Sequence, residues 1–227
     1  MENRYIMFTF AILASLMVIA IVMLLSQYMS YNNLSQVSQS LQQAEENLQT
    51  LQVLSLLGNS NSTSNCGILT AGLGTLSTQL SQIGSEVQAA DMENQSGAQY
   101  VNLVNQLSYA RIEYWLLSQR INSQCGGKLT TVLIFYKPQN CEYCVLETSE
   151  LSYLQGIDSN LTFVGLDGEW NLPVVQAVVS SYNLSSSDYP AIVINGKYVV
   201  KGYLTSNQLL SVLCSHMNST AFCNGSI

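Results

Sequence analysis

Two cysteines separated by two residues, Cys141 and Cys144, sit where an apolar β-like run (Thr130 to Tyr136) gives way to a helix-like stretch (Val145 to Leu154). A cysteine in the first turn of a helix lies at the positive end of the helix dipole, which favours thiolate over thiol. Its partner three positions on shares the helical face and can attack a mixed disulfide. The spacing therefore suits thiol–disulfide exchange. Half of a zinc site and a static structural disulfide are the other uses of such a pair. Zinc would want two more soft ligands. Cys214 and Cys223, the only downstream cysteines, lie apart in a poor setting for a knuckle. No metal and no cofactor is expected.

Residues from Lys128 onward supply the elements that must position the pair. Leu129 to Tyr136 is β-branched and apolar, the pattern of a buried central strand. A helix is predicted over Cys141 to Leu154 and a second strand over Leu161 to Leu166. Pro173 to Tyr182 reads as a helix with proline in its first turn, where the missing N–H is harmless. Ala191–Ile194 and Tyr198–Val200 flank Asn195-Gly196, a strong hairpin turn signal. Thr205 to Gln208 is a capping box opening a last helix to Leu213. The order is β-α-β-α-β-β-α, an α/β plan with the cysteine pair at the carboxyl end of the first strand.

Upstream, Tyr5 to Leu25 contains no charge. At 1.5 Å per residue it is long enough for a hydrocarbon core of about 30 Å. It is long for a cleaved signal peptide, and no clear small-x-small site follows it. We therefore expect an uncleaved single-pass anchor in the cell membrane. Arg4 precedes it and the next basic residue is Arg111, which puts the N-terminus in the cytoplasm and the bulk outside.

Leu34, Val37, Leu41, Ala44, Leu48 and Leu51 then step by three and four, an a/d seam. It resumes at Leu69 and runs to Ala90. A third helix over Ala98 to Ser123 carries Tyr100, Val104, Leu107, Tyr114 and Leu117 on one stripe, with Trp115 beside it. These stripes are read as core packing of an up-and-down bundle or hairpin with a stalk. A narrow seam also suits self-association into a homo-oligomer. Cys66 opens the second helix and Cys125 closes the third, so an antiparallel pair brings them together as a disulfide. The chain divides into residues 1–30 (cytoplasmic start and anchor), 31–127 (helical coiled-coil stalk or hairpin) and 128–227 (α/β head).

Only 9% of the 227 residues are charged, against roughly 25% in an ordinary soluble domain. Ser, Asn, Gln, Thr and Tyr do the solubilising, and their hydration does not depend on pH, so the surface should tolerate acid. The net charge of −7 gives no reason to expect a nucleic-acid partner. Six cysteines fit an oxidising compartment. Seven Asn-x-Ser/Thr sequons, at Asn33, Asn61, Asn94, Asn160, Asn183, Asn218 and Asn224, all follow the apolar N-terminus and are glycosylation candidates. An Asn- and Ser-rich chain also makes sequons by chance.

Residues 129–214 resemble the thioredoxin fold, and specifically the membrane-anchored thioredoxin-like proteins of archaea. The matching stretches are LIFYKPQNCEYC, Asp167 with Leu172-Pro173, Asp188-Tyr189-Pro190-Ala191 and VINGKYVVKGYL. The placement of Cys66 and Cys125, each followed by glycine, is also similar. The resemblance implies that Cys141 is the nucleophile and Cys144 the resolving cysteine. It further implies that Pro190 is a cis-proline facing the pair, with Tyr189 before it, presenting backbone to the client peptide. It departs from the family in the strand before the motif, where Leu133, Ile134 and Phe135 replace a buried acid, and in Glu142-Tyr143 between the cysteines. Those departures bear on redox poise.

Cys214 and Cys223 are expected to bridge and pin the C-terminus. His216 between them reads as a solvated loop residue. Tyr136, Tyr143, Tyr189 and Trp170 are candidates for a client groove or for plain packing. The expected fold class is an α/β thioredoxin-like domain preceded by a transmembrane helix and an all-α helical hairpin or coiled-coil region. The expected function is a membrane-anchored extracytoplasmic thiol–disulfide oxidoreductase acting on cysteine-containing secreted or membrane proteins. The alternative is a structural or interaction protein of the cell surface with a coiled coil and a redox-inert head.

Overall fold

A computed structural model describes Met17, Ile19, Ile21, residues 65–126 and 129–216, and Cys223. The chain divides into two compact units, Met1–Asn61 and Ser62–Ile227. Of the first, Met17, Ile19 and Ile21 are described; they are helical and exposed. The second holds a helical hairpin and a sheet. The hairpin is α1 (Asn65–Met92) and α2 (Ala98–Gln124). Asn94 and Gly97 turn the chain between them with φ of 53° and 99°. Left-handed backbone of this kind is what Asn and Gly tolerate best. Polar positions on α1 are absorbed locally, since the hydroxyls of Thr70, Thr75 and Thr78 donate to carbonyls four residues back. Leu69, Leu76 and Ala90 are buried on α1. A Cys66–Cys125 disulfide closes the open end, with Cα atoms 5.7 Å apart.

The remaining elements are β1 (Thr130–Tyr136), α3 (Glu142–Ile157), β2 (Leu161–Asp167), α4 (Pro173–Ser181), β3 (Ala191–Ile194), β4 (Tyr198–Lys201) and α5 (Ser206–His216), with a short 3-10 turn at Ser186–Asp188. The sheet order is β2-β1-β3-β4. β1 runs parallel to β2 and antiparallel to β3, and β3 pairs antiparallel with β4. β1, which like β3 has a neighbour on each side, is buried from Thr130 to Phe135. Alternation then sends its side chains to two faces. Leu133 and Phe135 join Ile112 and Trp115 of α2 and Val175 and Val179 of α4. Val132 and Ile134 join Leu151 and Leu154 of α3 and Leu209 and Leu213 of α5. Helices thus cover both faces of the sheet.

Local signals explain the joints. Asn195 and Gly196 take φ of 50° and 66°, and Lys197 N–H closes the turn on Ile194 O at 3.0 Å. Both positive φ values are those of a tight hairpin turn. Pro173 stands at the start of α4. Thr205 N–H and hydroxyl both donate to Gln208 Oε1 ahead of α5.

The expected fold class requires correction. Among the described residues no helix is long and apolar enough to cross a membrane. The helices seen are long in α1 and α2, but Ser, Thr, Gln and Asn interrupt their apolar stripes, as packing beside water requires. Among the described residues of the second unit the architecture is five α-helices with one small mixed sheet, not an all-α region set before a separate α/β domain. The physical reason is that α2 has two neighbours. It pairs with α1 and also sends Ile112 and Trp115 into the sheet's core. The apolar run from Tyr5 to Leu25, apart from Met17, Ile19 and Ile21, and the first heptads from Leu34 to Leu51 lie outside the described residues.

Candidate functional site

β1 ends at Tyr136, and the loop Lys137–Asn140 carries the chain to Cys141, the N-cap of α3. Asn140 makes the turn with φ of 55°. Cys144 N–H donates to Cys141 O at 3.2 Å, the first hydrogen bond of the helix. The two cysteines are bonded to each other, with Cα atoms 5.2 Å apart. Their exposure is unequal. Cys141 is half-buried, whereas Cys144 is 3% exposed and part of the core. An incoming sulfur therefore meets Cys141 first.

The sheet register brings a second segment to the same end. Phe135 pairs with Ala191 and Tyr136 with Asp167, so Pro190 and Asp167 lie where β1 delivers the chain toward Cys141. The Tyr189–Pro190 bond is cis. Pro190 is buried, and its carbonyl accepts from Gly202 N–H at 2.8 Å. Tyr189 is buried and stacks on Phe135 with ring centroids 6.4 Å apart. Burial raises its phenol pKa, helped by the carboxylates of Glu169, Asp167 and Asp188. Tyr189 and Cys144 belong to one apolar cluster, with Cys141, Tyr136 and Trp170 packed against it.

Tyr143, between the cysteines, is 57% exposed and stacks on Tyr203 at 4.9 Å. Val145 and Leu146 beside it are also exposed. Trp170 is committed elsewhere, its indole Nε1 donating to Asn105 Oδ1. Tyr136 is half-buried, and its hydroxyl accepts from Arg111 at 3.4 Å. Half-buried Asp167 has its pKa raised by burial, against which the N–H of Glu169 works as a hydrogen-bond donor.

The other sequence candidates fall away from this end or outside the described residues. Cys214 is bonded to Cys223. His216 closes α5 and stacks on Tyr198, with ring centroids 3.6 Å apart. Asn94 and Asn183 are exposed, and Asn160 is half-buried with its amide donating to Asp158. Asn33, Asn61, Asn218 and Asn224 lie outside the described residues. Among the described residues no three His, Cys, Asp or Glu side chains group to hold a metal.

The residue that motif reading passes over is Glu147. It is 0% exposed, and among the described residues neither carboxyl oxygen has a hydrogen-bond partner. Burial raises its pKa from 4.5 to about 7. A signal for it exists in the sequence. Cys144, Leu151 and Leu154 mark the apolar stripe of α3, and Glu147 falls on that stripe.

No family model matches the chain, and no curated protein does. Among solved structures the chain is similar to a malarial protein at 17% identity and a TM-score of 0.33, covering 39% of this chain and 97% of that one. It is similar also to a protein of unknown function from Staphylococcus aureus at 18% identity and a TM-score of 0.27, covering 39% of this chain and 91% of that one.

Proposed function

We propose that the chain is an extracytoplasmic thiol–disulfide oxidoreductase whose substrates are cysteines of secreted or membrane proteins. The observation that carries the reading is the unequal pair: a disulfide at a strand-to-helix junction, with Cys141 reachable and Cys144 buried. Such a pair separates two jobs. The outer sulfur exchanges with a client, and the inner one cannot be reached by a second client while it waits to resolve the mixed disulfide. Exposed Tyr143, Val145 and Leu146 offer apolar contact to an unfolded client segment. Tyr189 and Pro190 stand at the same end of the sheet for its backbone. Kinship with the archaeal thioredoxin-like proteins is part of the same proposal and rests on the sequence stretches that carry the resemblance.

The test is exchange with a disulfide-bonded peptide. Cys141→Ser should abolish it, and Cys144→Ala should accumulate a covalent peptide adduct on Cys141. Full activity in Cys141→Ser would end the proposal. The second reading, a redox-inert structural head, is favoured by the two other disulfides, Cys66–Cys125 and Cys214–Cys223, which brace the fold. A reduction potential far below that of the surroundings, with no turnover, would support it.

A further inference from the structure

Glu147 is a buried carboxyl with no hydrogen-bond partner among the described residues. An unpaired buried acid is expensive to keep. It sits one turn after Cys144, and side chains three apart on a helix are neighbours, with Cβ atoms about 5–6 Å apart. Helical side chains also lean toward the N-terminus. Glu147 therefore leans back over the turn that carries Cys144, and both residues are buried on the same stripe.

The rest of its surroundings brings no competing ligand. Cys144 joins the apolar cluster that includes Ile112 and Trp115 of α2 and Val175 and Val179 of α4, whereas β1, β2, β3 and α5 contribute Val132, Ile134, Leu161, Ile192, Leu209 and Leu213 to the cluster that holds Leu151 and Leu154. The titratable residues of these elements include Tyr136 and Asp167 at one end of the sheet, His216 at the end of α5, and half-buried Arg111, Glu113 and Tyr114 on α2. On α3 itself, Glu142, Tyr143 and Tyr153 are exposed, and Glu150 accepts from Ser206 at 2.6 Å. Lys137 stands in the loop before the pair and Tyr203 before α5. None of these groups hydrogen bonds to Glu147.

We propose that Glu147 is the proton acceptor and donor for Cys144, so that resolution of a mixed disulfide proceeds by proton transfer inside the core. This rests on the exchange reading given above. The step starts from Cys141 bonded to one sulfur of a client cystine, the other having left as a thiolate. The carboxylate of Glu147 takes the proton of the Cys144 thiol. The Cys144 thiolate attacks Sγ of Cys141, the Cys141–client bond breaks, and the Cys141–Cys144 bond forms. The client sulfur leaves as a thiolate and takes a proton from water. The client cystine gains two electrons and the pair loses two. In the opposite direction a client thiolate attacks Cys141, Cys144 leaves as a thiolate, and the Glu147 acid returns the proton. The disulfide form thus stores on Glu147 the proton that the dithiol form carries on sulfur. A carboxyl raised to about 7 is suited to hold it near neutral pH.

The experiment uses the full chain with Cys141 and Cys144 reduced, and oxidised glutathione as the probe. Rapid quench and mass spectrometry separate formation of the Cys141–glutathione adduct from its resolution. Glu147→Gln keeps the shape of the neutral acid and removes its titration. The expected result is unchanged adduct formation, resolution slowed at least about tenfold at pH 7, and loss of an inflection near neutral pH from the resolution profile. Superimposable resolution profiles for the two proteins would overturn the proposal. A wild-type chain that forms no adduct would instead sink the exchange reading. Glu147 is then judged by titrating the Cys144 thiol in the reduced proteins. Removing a neighbouring carboxylate should lower that pKa in Glu147→Gln, and an unchanged value refutes the proposal.

Discussion

The indole Nε1 of Trp170 donates to Asn105 Oδ1 at 2.7 Å, tying the loop after β2 to α2. That loop starts from Asp167 and Gly168 at the end of the sheet shared with Pro190. Asn105→Ala should leave a partly buried donor unpaired, lowering stability by about 1–3 kcal/mol. Urea unfolding followed by Trp fluorescence would measure it. Unchanged stability would mean that water satisfies the indole and that the tie is incidental.

The Cys66–Cys125 bond closes a loop spanning 59 positions. Chain-entropy bookkeeping for that length gives about 4 kcal/mol. A Cys66→Ala, Cys125→Ala double variant should lose stability on that scale and keep its exchange rate. A large fall in rate with stability intact would show that the hairpin shapes the reactive end directly.

Gly168 is buried against the ring of Tyr189, and a methyl group there would overlap the phenol. Gly168→Ala must therefore move the Tyr189 side chain beside Pro190. We expect about 1–3 kcal/mol of destabilisation, the usual range for overpacking. Peptide exchange should also weaken through KM, since the ring flanks the proposed client segment. Exchange kinetics equal to wild type would remove Tyr189 from the client surface.

How much of this was legible depended on how local the cause was. The strand-to-helix setting of Cys141 and Cys144, the Asn195-Gly196 turn and the proline opening α4 each follow from a few neighbouring residues, and the sequence shows them. The double duty of α2 was not legible. The expected stripe through Tyr100, Val104, Leu107, Tyr114 and Leu117 marks one face, yet Ile112, Trp115 and Ile121 are buried as well. A helix packed on two sides buries more than one stripe, and periodicity cannot say which neighbour takes which face. Glu147 escaped for another reason. A charged residue type suggests an exposed helical position, and that outweighs the apolar stripe of α3 on which Glu147 falls. The membrane span was inferred from apolar length alone, and no described helix shows it.

Glu147 also sets a direction for stability against pH. Its folded-state pKa is about 7, against an ordinary 4.5, so the folded chain keeps a proton there that the unfolded chain gives up. Stability from this group is whole below about pH 4.5. It falls as the unfolded state ionises and is lost as pH rises through about 7. The difference is worth on the order of 3 kcal/mol across that window. Half-buried Glu113, raised to about 7 by the same cause, acts in the same sense, more weakly because water reaches it. Asp188 works the other way, its pKa lowered chiefly by the hydrogen bond from the Ser185 hydroxyl, but it lies at the surface. The chain should therefore unfold at higher urea near pH 5 than at pH 8. Glu147→Gln should flatten most of that slope and leave the acid-side stability nearly unchanged. A wild-type chain more stable at pH 8 than at pH 5 would mean that Glu147 is ionised in the folded state, with a partner or water that the packing of α3 does not reveal.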